Sequence, residues 1–116
     1  FYYYPEFPER VEPTYRFSTE MMDWLEAYIG IPYPWKTYAQ AMVQDFTFGA
    51  MENTTATTFG DFSFVDKRGF KDRSYIATNV HELVHQWFGD FITARSQQHV
   101  WLQESFATFY PKYFFR

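Results

Sequence analysis

The chain has 116 residues, which limits it to one domain with a single core. Its formal net charge of −4 argues against a nucleic-acid partner, which needs a basic surface, and the lack of cysteine rules out a disulfide framework. No apolar run approaches the length of a transmembrane helix.

Residues 1–9 read as extended, opening with the aromatic stretch Phe-Tyr-Tyr-Tyr-Pro-Glu-Phe. Over 14–29, Phe17, Met21, Trp24, Leu25 and Tyr28 recur at helical spacing. They predict an amphipathic helix ended by Gly30, its stripe serving as core. Residues 31–35, with Pro32 and Pro34, form a turn. A strand is expected over 38–48, running into Gly49-Ala50-Met51-Glu52-Asn53. Two shorter strands, 54–59 and 62–65, flank a tight turn at Gly60-Asp61. Lys67, Arg68, Lys71 and Arg73 are the one basic cluster and read as a solvated loop and helix start.

A helix follows over about 74–88. Val80, Leu83, Val84 and Trp87 give it a buried side, Asp72 or Ser74 can cap its start, and Gly89 is placed to end it. After a loop, a second helix begins near residue 100. Strands followed by helices indicate an α+β fold. Aromatic residues make up 25% of the chain and crowd both ends, with six between 106 and 115. One reading is an aromatic-rich core; the preferred one is a surface partly covered by neighbouring domains of a parent chain.

The helix over 74–88 carries His81-Glu82-Leu83-Val84-His85. Each residue turns a helix by about 100°, so histidines four apart lie about 40° from each other on one face. Such a pair can grip a zinc ion while Glu82 acts as general base on a water. Glu104, with eighteen residues between it and His85, is the candidate third ligand. Two His, one Glu and an open fourth position describe a catalytic zinc site rather than a structural one. The plain alternative is a buried helix with two satisfied histidines and a chance glutamate. The longer metzincin pattern is excluded, because Phe88 and Phe91 stand where it needs Gly and His. His99 reads as a surface-loop histidine, and Asp45 and Asp61 as turn residues rather than outer acceptors of the site.

Gly49-Ala50-Met51-Glu52-Asn53 resembles the exopeptidase signature of the aminopeptidase N-like family of gluzincin zinc metallopeptidases. His81, Glu82, His85 and Glu104 match that family's metal and base positions. His85-Gln86-Trp87-Phe88-Gly89-Asp90 resembles its continuation of the zinc helix. Trp101-Leu102-Gln103-Glu104-Ser105-Phe106-Ala107 resembles its third-ligand helix, with Gln103 and Ser105 where Asn and Gly are usual. The resemblance runs from about residue 10 to residue 110. It implies a fragment of a thermolysin-like catalytic domain: 1–9 as the tail of a preceding β-domain, and 10–116 as the catalytic domain truncated on its C-terminal side. The family's tyrosine that stabilises the reaction intermediate lies further downstream than Tyr110 or Tyr113 and is expected outside this chain. Pro111 departs from the family, whose third-ligand helix continues there, so local distortion is expected.

The resemblance also implies roles. His81, His85 and Glu104 would hold one zinc per chain, though cobalt or manganese could replace it in vitro. Zinc would polarise the scissile carbonyl and acidify water, with Glu82 shuttling the proton to the departing amine. Glu52 would bind the α-ammonium of peptides with a free N-terminus, and the Gly49 and Ala50 backbone would pair with them as an added strand. The expected function is zinc aminopeptidase activity, weak or absent in the isolated chain. Two other readings stay open: a thermolysin-like endopeptidase, and a zinc-binding inactive module that serves partner binding. For the 49–53 segment alone, a plain turn between strands is the competing reading.

Overall fold

In the computed structural model, which describes residues 1–116, apolar periodicity and tertiary hydrogen bonds compete, and each wins in places. The helix expected over 14–29 is two helices, α1 (Val11–Tyr15) and α2 (Ser18–Ile29). Between them Arg16 is extended (φ −53°, ψ 138°) and Phe17 is left-handed at φ 68°. Ser18 Oγ sits 2.8 Å from the Tyr15 carbonyl and 3.0 Å from Gln40 Oε1, which ties the break to the sheet. The break sends the two helices to different cores. Tyr15 packs with Met42, Phe59 and Phe64. Met21 and Leu25 pack against Val80, Leu83, Val84 and their neighbours in the other core. Gly30 ends α2 as expected, at φ 76° with its N–H donated to the Glu26 carbonyl at 2.9 Å.

The sheet has three strands, β1 (Ala39–Val43), β2 (Ala50–Met51) and β3 (Ala56–Gly60), in the order β1-β3-β2. β1 runs parallel to β3, with Ala39 opposite Ala56 and Val43 opposite Gly60. β2 is antiparallel to β3, with Ala50 opposite Phe59 and Met51 opposite Thr58. The strand expected over 38–48 therefore stops at Val43, where the chain turns through Asp45 at φ 54°. No strand forms over 62–65. Asp61–Ser63 is a 3₁₀ turn, in which Ser63 Oγ donates to the Gly60 carbonyl at 2.5 Å. Val65 finds its partner outside the sheet: its N–H donates to Thr14 Oγ1 at 3.0 Å. Tyr2 alone of the first residues joins the sheet. Its N–H donates to the Gln40 carbonyl, and its carbonyl accepts from Met42. The extended reading of 1–9 fails beyond Tyr4, because Pro8–Arg10 is a 3₁₀ turn.

Four further helices complete the chain: α3 (Gly69–Asp72), α4 (Ile76–His85), α5 (Trp101–Phe109) and α6 (Pro111–Phe114). α4 is shorter than the expected 74–88. Tyr75 stands at its N-cap, and Ser74 contributes only a hydroxyl oxygen that accepts from the Ile76 N–H at 3.3 Å. Asp72 ends α3 instead of capping α4. At its other end Gln86 and Trp87 continue as a tightened turn, with N–H groups bonded to the Leu83 and Val84 carbonyls. Pro111 restarts the helix. Tyr110 keeps helical angles (φ −60°, ψ −42°), and the proline takes the first position of α6, where its missing N–H costs least.

Ile76, Val80, Leu83, Val84 and Trp87 bury one side of α4 against Met21, Leu25 and Ala107. Trp87 is the largest fully buried side chain. The aromatic ends are divided: Tyr4, Tyr110 and Phe114 pack against the cores, whereas Phe1, Trp101 and Phe115 are each more than half exposed. Between α4 and the sheet lies a polar layer. Gln40 Nε2 donates to Asn79 Oδ1, Asn79 Nδ2 donates to Ser18 Oγ at 3.2 Å, and Tyr38 shares a 2.8 Å bond with Thr57. Replacing Asn79 by Ala strands the buried Gln40 donor, and the expected loss is about 1–3 kcal/mol of folding free energy. Urea denaturation measures it; an unshifted midpoint would show that the layer contributes nothing.

Candidate functional site

α4 presents its polar side to α5 and to the end of β2. His81 and His85 stand one turn apart with ring centroids 4.9 Å from each other. His85 is buried and His81 partly exposed. Glu104 lies in the first turn of α5, three residues before Ala107. Ala107 is fully buried against α4, and its small side chain lets the two helices approach closely. The same packing turns Glu104 toward the histidines.

The three side chains converge. His81 Nε2 lies 3.3 Å from His85 Nε2 and 3.3 Å from Glu104 Oε2. His85 Nε2 lies 3.4 Å from the other carboxylate oxygen, Glu104 Oε1. A four-coordinate cation with bonds of about 2.0–2.1 Å spaces its donors about 3.3 Å apart. Each histidine thus has the other imidazole and one Glu104 oxygen at about that distance, and one atom from each residue lies within 4.8 Å of the others, close enough to share a cation. The His85 tautomer agrees. Its Nδ1 is 3.0 Å from the Phe88 carbonyl, which can only accept, so the proton sits on Nδ1 and the Nε2 lone pair faces the group. Glu52 Oε1, at 3.8 Å from the same Nδ1, is too far to compete for that proton. The His81 pKa is lowered, first by burial and then by the neighbouring His85, which outweighs the pull of Glu104 and Glu52.

Three carboxylates surround this pair, and they repel one another. Glu82 is pushed up to about 8, first by burial and then by the charges of Glu52 and Glu104. Its Oε2 is buried and accepts no hydrogen bond. A buried acceptor without a donor is uncommon and marks a place where chemistry or a further group is accommodated. An open cavity of about 520 Å³ adjoins Glu82 and His81; Gly49 and Ala50 line its sheet side, and Thr108 and Lys112 line its far side. β2 is the edge strand there and pairs with β3 alone, so its other edge is open.

The predicted residues thus separate into two groups. His81, His85 and Glu104 form one cluster, Glu82 and Glu52 sit beside it, and Gly49 and Ala50 line the adjoining cavity. Met51 is exposed, and Asn53 turns away to donate to Thr58 Oγ1 at 3.0 Å. His99 is exposed in a separate 3₁₀ turn. Sequence reasoning placed Gln86 and Asp90 in the 85–90 stretch but gave neither a role; Gln86 is fully buried, and the Asp90 Oδ2 is buried without a partner. Asp90 is pushed up to about 6, by burial first and Glu52 second. A glutamine amid Leu83, Val84, Trp87 and Phe88 was the available signal for the first; nothing comparable marked the second.

Gly89 holds the far side of His85. It sits at φ 140°, and a Cβ there would meet Gln103 Nε2 at 3.1 Å and His85 Nδ1 at 3.2 Å. Gly89→Ala is expected to cost about 1–3 kcal/mol, from backbone strain and contact with the ring. Equilibrium unfolding of the two proteins measures this, and equal stability would contradict the packing described.

The sequence profile of the peptidase family M1 domain matches residues 14–115. The chain is 42% identical to an Aminopeptidase N of Streptomyces lividans over 90 residues, 75% of this chain and 10% of that protein. It is 38% identical to tricorn protease-interacting factor F2 of Thermoplasma volcanium over 91 residues, 76% of this chain and 12% of that one. It is 36% identical to endoplasmic reticulum aminopeptidase 1 of Mus musculus over 96 residues, 79% and 10% of the respective lengths. The chain spans about a tenth of the length of these curated relatives.

Proposed function

Since the chain belongs to peptidase family M1, we propose that it carries the metal-binding part of a zinc aminopeptidase that releases N-terminal residues from peptides. The observation that carries this reading is the cluster of His81, His85 and Glu104, with donor separations of 3.3 to 3.4 Å. These three residues would hold the zinc. Bound to two imidazoles and a carboxylate, zinc supplies a Lewis acid that polarises a carbonyl and acidifies a water.

The remaining steps belong to the chain's own groups. Glu82 takes the proton of the attacking water and returns it to the departing amine. Its unpartnered Oε2 and its place in the lining of the cavity beside His81 support that role. Glu52 holds the substrate's α-ammonium by a charge-assisted hydrogen bond, which limits cleavage to the first residue. The open edge of β2, at Gly49 and Ala50, offers backbone groups to an extended substrate, with Met51 and Asn53 completing the segment. Fixing both ends of the first residue brings its carbonyl to the cluster.

The reading extends to the domain. Residues 10–116 are part of a thermolysin-like catalytic domain, residues 1–9 the tail of a preceding β-domain, and other parts of a longer protein complete the active site. Its support is the tenth of the relatives' length that the chain spans, together with the exposed aromatic residues at both ends. Activity of the 116-residue chain alone is expected to be weak or absent.

Two substitutions in the longer enzyme test the assignments. Glu82→Gln should lower kcat by about 10²–10⁴ while zinc content stays at one per protein. Glu52→Ala should remove the preference for free over N-acetylated peptides, with some internal cleavage appearing. Unchanged kinetics in the first variant would contradict the base assignment, and an unchanged preference in the second would contradict the amine anchor.

A further inference from the structure

β2 ends at Met51, the last residue paired with β3, so Glu52 is the first residue past the ladder and no strand partner holds it. What holds it is Gln86. This side chain is fully buried in the turn that closes α4, directly after His85. Its Nε2 donates to the Glu52 carbonyl at 3.1 Å and lies 3.5 Å from the Asn53 carbonyl. Its Oε1 accepts from the Thr55 N–H at 2.8 Å and lies 3.3 Å from the Tyr33 hydroxyl. Its own carbonyl accepts from Trp35 Nε1 at 3.1 Å.

The loop held in this way is strained. Thr55 has φ 65°, a left-handed angle that a β-branched residue adopts only when its surroundings enforce it. The Ala56 N–H donates to the Asn53 carbonyl at 2.8 Å, so 53–56 is a tight turn, and the Gln86 amide grips it from below at both ends. The grip ties two things together. One residue adjoins a member of the His-His-Glu cluster and also fixes the backbone of the nearby carboxylate. Sites of this kind need their groups held within about 0.5 Å, and a strand of two residues cannot do that alone. An apolar side chain of the same volume would fill the space and supply none of these bonds.

We propose that Gln86 is a positioning residue for substrate-amine recognition: its side-chain amide clamps the 52–55 loop to the end of α4 and so sets where Glu52 stands relative to the metal centre. The proposal rests on the reading of Glu52 as the amine anchor, and the experiment separates the two. The zinc-loaded chain and its variants are titrated calorimetrically with L-leucine hydroxamate and with its N-acetylated form. Hydrogen exchange at the Thr55 amide is followed in parallel.

The wild-type chain should favour the free amine by at least about tenfold, the effect of one charge-assisted hydrogen bond. Gln86→Met should bring the two affinities within about twofold, by weakening the free-amine ligand alone, and should expose the Thr55 amide. Gln86→Glu keeps an acceptor for Thr55 and offers no donor to the Glu52 carbonyl. It should retain Thr55 protection and still lose selectivity, and it serves if the methionine variant does not fold. A folded Gln86 variant with undiminished selectivity, or with equal weakening of both ligands, would overturn the proposal. Glu52→Gln identifies which idea has failed. If it abolishes selectivity while the Gln86 variants keep theirs, only the clamp is wrong; if it too keeps selectivity, the amine-anchor reading falls and the proposal falls with it.

Discussion

The approach of α5 to α4 is the contact on which the candidate site depends, and Ala107 sets it. A fully buried methyl group in the core cluster that includes the apolar side of α4 lets the two helices come close, and Glu104, one turn earlier, then falls beside His81 and His85. A larger residue at 107 would lift α5 from α4 and carry Glu104 out of reach. The apolar side of α4 is thus more than core. Close packing makes it a rigid mount, because interiors at crystal-like density resist displacement. The histidines on its other side inherit that rigidity, and His85 gains a further hold from the Phe88 carbonyl.

The price of the arrangement is electrostatic. Glu52, Glu82 and Glu104 lie around two imidazoles, and Glu82 is both buried and surrounded by like charge. Burial of an unpaired carboxylate opposes folding. A divalent cation held there would relieve much of that repulsion, setting two positive charges among the carboxylates. The crowding of carboxylates that opposes folding is also what would favour a cation, and it falls at a single place in the fold.

Local patterns in the sequence were enough to locate the cluster, because an i, i+4 pair on a helix has its geometry dictated by the helix itself. Glu104 was legible as a spacing and through the resemblance of residues 101–107 to a third-ligand helix, while the packing that turns it toward the histidines was not. Elements set by tertiary hydrogen bonds were misread. The 14–29 helix breaks just before Ser18, which bonds to Gln40 of the sheet, and the 62–65 strand is absent because Val65 finds Thr14 instead of a neighbouring strand. The parallel pairing of β1 with β3 lay beyond local reasoning too, since the hairpin reading joined strands adjacent in sequence. Gln86 was left without a role for a related reason. Its four partners come from residues 33 to 55, far away in the chain.

The central claim is that His81, His85 and Glu104 make one metal centre. Zinc titration of the purified chain, alongside Glu104→Ala, tests it most directly. The account predicts one zinc per wild-type chain and binding weakened by about tenfold or more in the variant, the scale expected when a metal site loses a supporting group. A folded wild-type chain that binds no zinc, or a variant that binds it equally well, would contradict the account.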